Sequence, residues 1–130
     1  IAPESVQGYL LLGDVLQAQE RDEKAIEEYR KAARIDPGPD TIIPLTAVLL
    51  RTGGYEEAES LLKGAVRRAP DDPRLLLPLA RARGHLGRTD QALEALRRAR
   101  EAGQVLDARL AADPAFAAFR NDPRFQELLK

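Results

Sequence analysis

The sequence predicts an all-α fold: a solenoid of three helix-turn-helix units, followed by short helices that close its C-terminal end. Three observations carry that expectation: an internal repeat, apolar stripes at helical spacing within each unit, and a change of character after residue 103. Aligned alanines set the register. Ala25, Ala58 and Ala92 are each followed four residues later by Tyr29, Leu62 and Leu96, and then by Ala32, Ala65 and Ala99. Pro37 and Pro70 close the first two units. A period in this range marks stacked supersecondary units, none of which can bury its apolar face alone.

The first helix of each unit is read from apolar residues at i, i+3, i+4 and i+7, which together make one buried face. They are Tyr9, Leu12, Gly13 and Leu16, then Ile42, Leu45, Thr46 and Leu49, then Leu76, Leu79 and Ala80. All of these are expected to face the core, Leu12 included. Turns follow at Glu20-Arg21-Asp22, Thr52-Gly53-Gly54-Tyr55 and Gly87-Arg88-Thr89-Asp90. Glycine there admits left-handed backbone, and Asp22, Thr89 or Asp90 is expected to cap the next helix. In the second helices small alanines let two axes approach closely, and proline then ends the helix by removing a donor. The units span about 5–37, 39–71 and 73–103, so residues 1–103 form the repeats and 104–130 the closing segment.

These residues resemble the tetratricopeptide repeat, whose unit is about 34 residues long. The best copy is Tyr9-x2-Leu12-Gly13-x2-Leu16, then Ala25-x3-Tyr29, Ala32 and Asp36-Pro37. Copy two has Thr46 where the small glycine usually sits. Copy three has Arg83 at a normally apolar place and Gln104 where the closing proline would stand. The resemblance implies a right-handed solenoid whose first helices line a concave groove for peptide segments.

The tail holds all three phenylalanines, Phe116, Phe119 and Phe125. Asp113-Pro114 and Asp122-Pro123 each pair an N-cap with proline at the first helical position. Short helices are expected near 105–112, 114–120 and 123–129. The segment is similar to the Asp-Pro-rich aromatic tails that close many bacterial proteins of this family, and it is read as a cap on the third unit.

Composition narrows the chemistry. The chain of 130 residues is 44% apolar and 32% charged, enough apolar material for a core. It lacks cysteine, which excludes disulfides, thiolate zinc sites and thiol catalysis. His85 is the single histidine, and Ser5 and Ser60 stand in no nucleophile motif. No phosphate loop or dinucleotide fingerprint is present. No enzyme activity, cofactor, metal or small-molecule substrate is therefore expected. No stretch reaches the ~18 apolar residues of a membrane span. Methionine is also absent and Ile1 stands first, which leaves room for a leader, an anchor or a further domain upstream. Cytoplasm and periplasm fit equally well.

Charge is uneven: residues 1–65 hold 7 basic and 12 acidic side chains, residues 66–130 hold 13 and 9. Nine arginines lie between Arg67 and Arg100, but no aromatic interleaves with them to stack bases, and the chain is net −1. Nucleic-acid binding through that surface is the third reading of function.

The first reading is a partner-protein groove. At 100° per residue, with Tyr9 toward the core, Leu10 lies ~100° away and Asp14 ~140°. The equivalent positions are Ile43 and Ala47 in copy two, and Leu77 and Arg81 in copy three, with Arg74 preceding them. The expected contact set is Leu10, Asp14, Ile43, Ala47, Arg74, Leu77 and Arg81. It forms an apolar line, acidic at one end and basic at the other, suited to an amphipathic helix or extended apolar peptide. Chaperone-binding members of the family hold a terminal carboxylate with Lys and Asn at these places; only Arg81 fits here, which argues against such a clamp. The second reading is a structural subunit held by convex or end surfaces, its groove filled by the tail. Pro44 and Pro78 share one register and are each expected to free a carbonyl one turn earlier, near Asp40 and Arg74.

Overall fold

A computed structural model describes residues 4–130. They form α1 (Val6–Ala18), α2 (Asp22–Ile35), α3 (Pro39–Thr52), α4 (Tyr55–Arg68), α5 (Leu76–His85), α6 (Thr89–Glu101) and α7 (Pro123–Leu128). Short 3-10 turns lie at Pro73–Leu75, Ala108–Ala112 and Pro114–Phe119, and the described residues contain no strand. Helices pack in order: α1 on α2, α3 on α4 and α5 on α6 within pairs, with α2 on α3 and α4 on α5 joining them.

Small residues bring the helices of a pair together. Ala25, Ala32, Ala58, Ala65, Ala92 and Ala99 are all completely buried. A Cβ on Gly13 would overlap the ring of Tyr29, so glycine lets α1 and α2 close over that tyrosine. Copy two fills the same position with Thr46, whose buried hydroxyl is satisfied by donating to the Ile42 carbonyl at 2.7 Å. The turns use left-handed backbone at one repeat position: Gly53 has φ 92°, Gly87 φ 75° and Glu20 φ 60°.

Three sequence expectations are corrected. Asp22, Thr89 and Asp90 do not cap: the N-caps of α2 and α6 are Arg21 and Arg88, and neither makes a side-chain cap bond. The two carboxylates sit in the first turns, favourable to the helix dipole, and reach across to Arg51 at 2.6 Å and Arg124 at 2.9 Å. Pro44 lies inside α3, but Pro78 falls in the first turn of α5, where a missing donor costs nothing, because a 3-10 turn precedes that helix. Leu12 is not core: it is 46% exposed on the outer side of α1.

The tail is less helical than expected. Its first two pieces, Ala108–Ala112 and Pro114–Phe119, are 3-10 turns, and only the third is an α-helix. Five or six residues between prolines and Asp caps leave little length for α-helical bonds to propagate. The caps themselves form: Asp107, Asp113 and Asp122 accept from the amides of Arg109, Ala115 and Arg124 at 3.0, 2.9 and 2.8 Å. Phe116, Phe119 and Phe125 make a triangle with ring centroids 5.4–5.7 Å apart. The triangle is buried in the cluster that holds Leu79 and Leu96. Gln104, where a proline was expected, donates to the Pro73 carbonyl at 3.3 Å and ties the end of the third pair to its start.

Candidate partner-binding groove

The seven candidate residues fall on α1, α3, α5 and the turn that leads into α5. Leu10 on α1, Ile43 on α3 and Leu77 on α5 are each half-buried, and Ala47 is exposed. Ile43 and Leu77 pack their inner sides against the core of the C-terminal pairs, and Leu10 packs against that of the N-terminal pairs. Each apolar side chain thus anchors on a core and keeps part of its surface toward water.

The charged members are not equally available. Asp14 is exposed, and its Oδ1 accepts from the Tyr29 hydroxyl at 2.5 Å; Gln17 Oε1 lies 3.0 Å from that hydroxyl. That neutral donor leaves the carboxylate charge uncompensated. Burial first, and then the bond to Asp14, raise the Tyr29 phenol well above its ordinary range. At the other end the charge is spent internally. Arg74 pairs with Asp72 at 2.7 Å and Asp40 at 3.4 Å, and its guanidinium holds the Asp72 carboxyl below the usual carboxylate range. Arg81 Nε lies 2.8 Å from Asp113 of the tail. The groove expected to be basic at its α5 end is instead close to neutral there.

The tail comes this close to α5 at the helix's one glycine, Gly84. A Cβ on Gly84 would run into the Ala115 carbonyl, so the Pro114–Phe119 turn lies directly on the helix backbone. Its contacts are with α5, and those of α7 with α6. Sequence reasoning missed Gly84, and it missed Glu59, which is buried on α4 and paired to Arg83 at 3.3 Å and to Arg88. It also missed the stacking of His85 on Tyr55, with centroids 4.1 Å apart and planes 5° from parallel. The signal for Glu59 was present: it and Arg83 replace Ile26 and Leu49 of the preceding unit with opposite charges.

A cavity of about 360 Å³ opens between α2, α3 and α4, floored by Ala33, Ile42, Leu45 and Leu61. The bidentate pair Arg30–Glu57, at 2.6 and 2.9 Å, spans it, and none of the seven candidate residues lines it. Among the described residues no group of acidic and histidine side chains is placed to hold a metal ion, and no helix is long and apolar enough to cross a membrane.

A family profile described as tetratricopeptide repeat matches residues 49–130, and a second one matches residues 6–39. No curated protein sequence matches the chain. Among solved structures, yeast Tom70 aligns with a TM-score of 0.74 at 21% identity, over 95% of this chain and 25% of that one. YrrB, described as a TPR protein with an unusual peptide-binding site, aligns at 0.73 and 21% identity, over 96% and 66%. PcrH, solved in complex with the chaperone binding region of PopB, aligns at 0.70 and 20% identity, over 99% and 98%. The chain therefore spans a quarter of the yeast protein's chain and about two thirds of YrrB. With one profile running through more than half its length, from within α3 to the last residue, the chain belongs to the tetratricopeptide repeat family.

Proposed function

We propose that this chain is a protein-interaction module that holds a segment of a partner protein along α1, α3 and α5, as a domain or subunit of a larger assembly. The observation that carries the reading is the partial exposure of Leu10, Ile43 and Leu77 at one repeat position of three successive units, beside exposed Ala47. An apolar line of this kind suits a helix or extended segment with apolar residues on one side. Two proteins of the same fold, YrrB and PcrH, are described with an unusual peptide-binding site and in complex with a partner region, respectively. The tail is read as the cap of the array, since its phenylalanines cover the core of the third pair and it lies on α5 and α6.

The nucleic-acid reading loses support from the arginines themselves. Arg74, Arg81, Arg83, Arg88 and Arg97 are committed to carboxylates, and Arg100 donates to the carbonyls of Glu127 and Lys130. Five of the nine arginines are therefore already paired with carboxylates, which weakens their pull on phosphate.

The test is a native pull-down with mass spectrometry, using wild type beside Ile43→Glu/Leu77→Glu and, separately, Ala47→Arg. Ala47 is exposed, so arginine there fills the groove without disturbing the core. Loss of the same partner in both variants supports the groove. A partner retained by folded Ala47→Arg contradicts it, and makes the chain a structural subunit held by its other faces.

A further inference from the structure

The N-terminal end of the array is left open by the same helices that define the repeat. Leu12 and Val15 on α1 are 46% and 52% exposed, while their repeat equivalents, Leu45 and Val48 on α3 and Leu79 and Ala82 on α5, are at most 1% exposed. The residue types match, so the difference is one of cover. α3 is covered by α2, whose Ile26, Tyr29 and Ala33 share a cluster with Leu45, Val48 and Leu49, and α5 is covered by α4. No helix among the described residues plays that part for α1, and Leu11 beside the pair is 51% exposed as well. Both internal copies place the second helix of a helix pair in that position; the α2 copy presents apolar Ile26, Tyr29 and Ala33 at i, i+3 and i+7, and the α4 copy keeps Leu62 and Val66 at the last two.

The sequence carries an independent mark of such a pair. Ile1-Ala2-Pro3 stands one repeat period before Ile35-Asp36-Pro37, where α2 ends, and Ala2-Pro3 precedes Tyr9 by the interval at which Ala69-Pro70 precedes Leu76. These three residues lie outside the described structure, but their register is that of a closing segment. A second copy of the chain has no second helix free to take that part. Its α2 and α4 are already covered by α3 and α5, and the phenylalanines of the tail, with α7, close over α6.

We propose that the Leu11–Leu12–Val15 face receives the second helix of a further unit of the same kind, N-terminal in the same polypeptide. The array then has at least four units before its tail. Its groove is longer by one first helix than the one α1, α3 and α5 line. The inference does not depend on what the groove binds.

The test compares this chain with the same chain extended upstream by one repeat period of its own preceding sequence, by amide hydrogen exchange and thermal melting. Each length is measured with and without Leu12→Asp/Val15→Asp. In the shorter chain the double substitution lowers melting far less than it does in the longer one, because about half of each side chain is already in water. In the longer chain the α1 amides exchange about tenfold more slowly or better, and the double substitution reverses that gain and lowers the melting temperature. Leu45→Asp/Val48→Asp, which breaks the covered equivalent, destabilises both lengths. Ala47→Arg leaves α1 protection in the longer chain intact, which separates this result from the groove test. Identical α1 exchange in the two lengths overturns the proposal. So does a dimer of the shorter chain, seen by sedimentation, that the double substitution makes monomeric, since that places a second copy on the face.

Discussion

Glu59 on α4 and Arg83 on α5 meet at 3.3 Å, at the repeat positions that Ile26 and Leu49 occupy one unit earlier. Their side chains are only 8% and 15% exposed, and Arg88 takes the second carboxylate oxygen. A joint that is apolar between α2 and α3 is therefore ionic between α4 and α5. Such a pair is held together against a desolvation cost of several kcal/mol per ion. The penalty falls on whichever partner is left alone.

Glu59→Ala is expected to destabilise the fold by about 3–5 kcal/mol, because it removes the carboxylate facing Arg83, whose side chain is only 15% exposed. Replacing both, as Glu59→Ile/Arg83→Leu, rebuilds the joint in its apolar form and should return the stability or exceed it. Urea denaturation of the single and double variants checks this. A double variant weaker than the single one would show that the two joints are not equivalent.

Gly84→Ala should cost about 1–3 kcal/mol, the usual penalty for forcing a methyl group into a filled space. Here the group displaced is the Ala115 backbone, so the loss should appear first in the tail. Limited proteolysis reads it directly: cleavage after Arg109 and Arg120 should speed up while α1 to α4 stay protected. Unchanged cleavage would mean that the turn can shift without releasing its phenylalanines.

Glu20 adopts the left-handed backbone that Gly53 and Gly87 take at the same repeat position. A side chain there is strained, and glycine relieves the strain at some cost in unfolded-state entropy. Glu20→Gly is expected to stabilise the chain by roughly 0.5–1 kcal/mol, raising its melting temperature. A lower melting temperature would show that the Glu20 side chain makes up for its backbone.

Much of the fold is legible in the sequence because the repeat states each packing position three times. Ala25, Ala58 and Ala92 identify the close helix contacts without any structure, and Phe116, Phe119 and Phe125 mark the change of packing after the repeats. What escapes is whatever depends on a neighbour rather than on the residue. Leu12 reads as core because Leu45 and Leu79 are core, yet burial of that position comes from the preceding helix, and none of the described residues supplies one to α1. Arg81 and Arg74 read as groove charges because Asp113 and Asp40 come close only on folding, and because the local turn that pairs Asp72 with Arg74 is not marked by either residue alone. Asp22 and Asp90 have cap chemistry, but after the left-handed turns at Glu20 and Gly87 their helices start one residue too early for Asp22 to cap and two too early for Asp90. The apolar groove positions follow from helical phase alone; their electrostatics do not.

Tyr29 gives the fold an alkaline limit. Its phenol is fully buried, and burial together with the Asp14 bond raises it above its ordinary value of 10.0. The folded state binds that proton more tightly than the unfolded chain does. The stabilisation is complete below pH 10.0 and is lost as pH rises beyond it. Tyrosinate absorbance should therefore show one of the three tyrosines ionising only as the helices melt. Tyr29→Phe should remove that alkaline slope while losing about 1 kcal/mol at neutral pH. A slope unchanged in Tyr29→Phe would assign alkaline unfolding to other groups.

A partner lying along the first helices of the units leaves a distinct imprint on the backbone. Amide chemical-shift mapping of the isotope-labelled chain, titrated with the partner segment recovered by pull-down, tests for it most directly. The largest shifts are predicted at Leu10, Asp14, Ile43, Ala47 and Leu77, on α1, α3 and α5, with α2, α4 and α6 little changed. Shifts concentrated on α2, α4 and α6, or at the cavity between Arg30 and Glu57, would contradict it and move the partner to the opposite face.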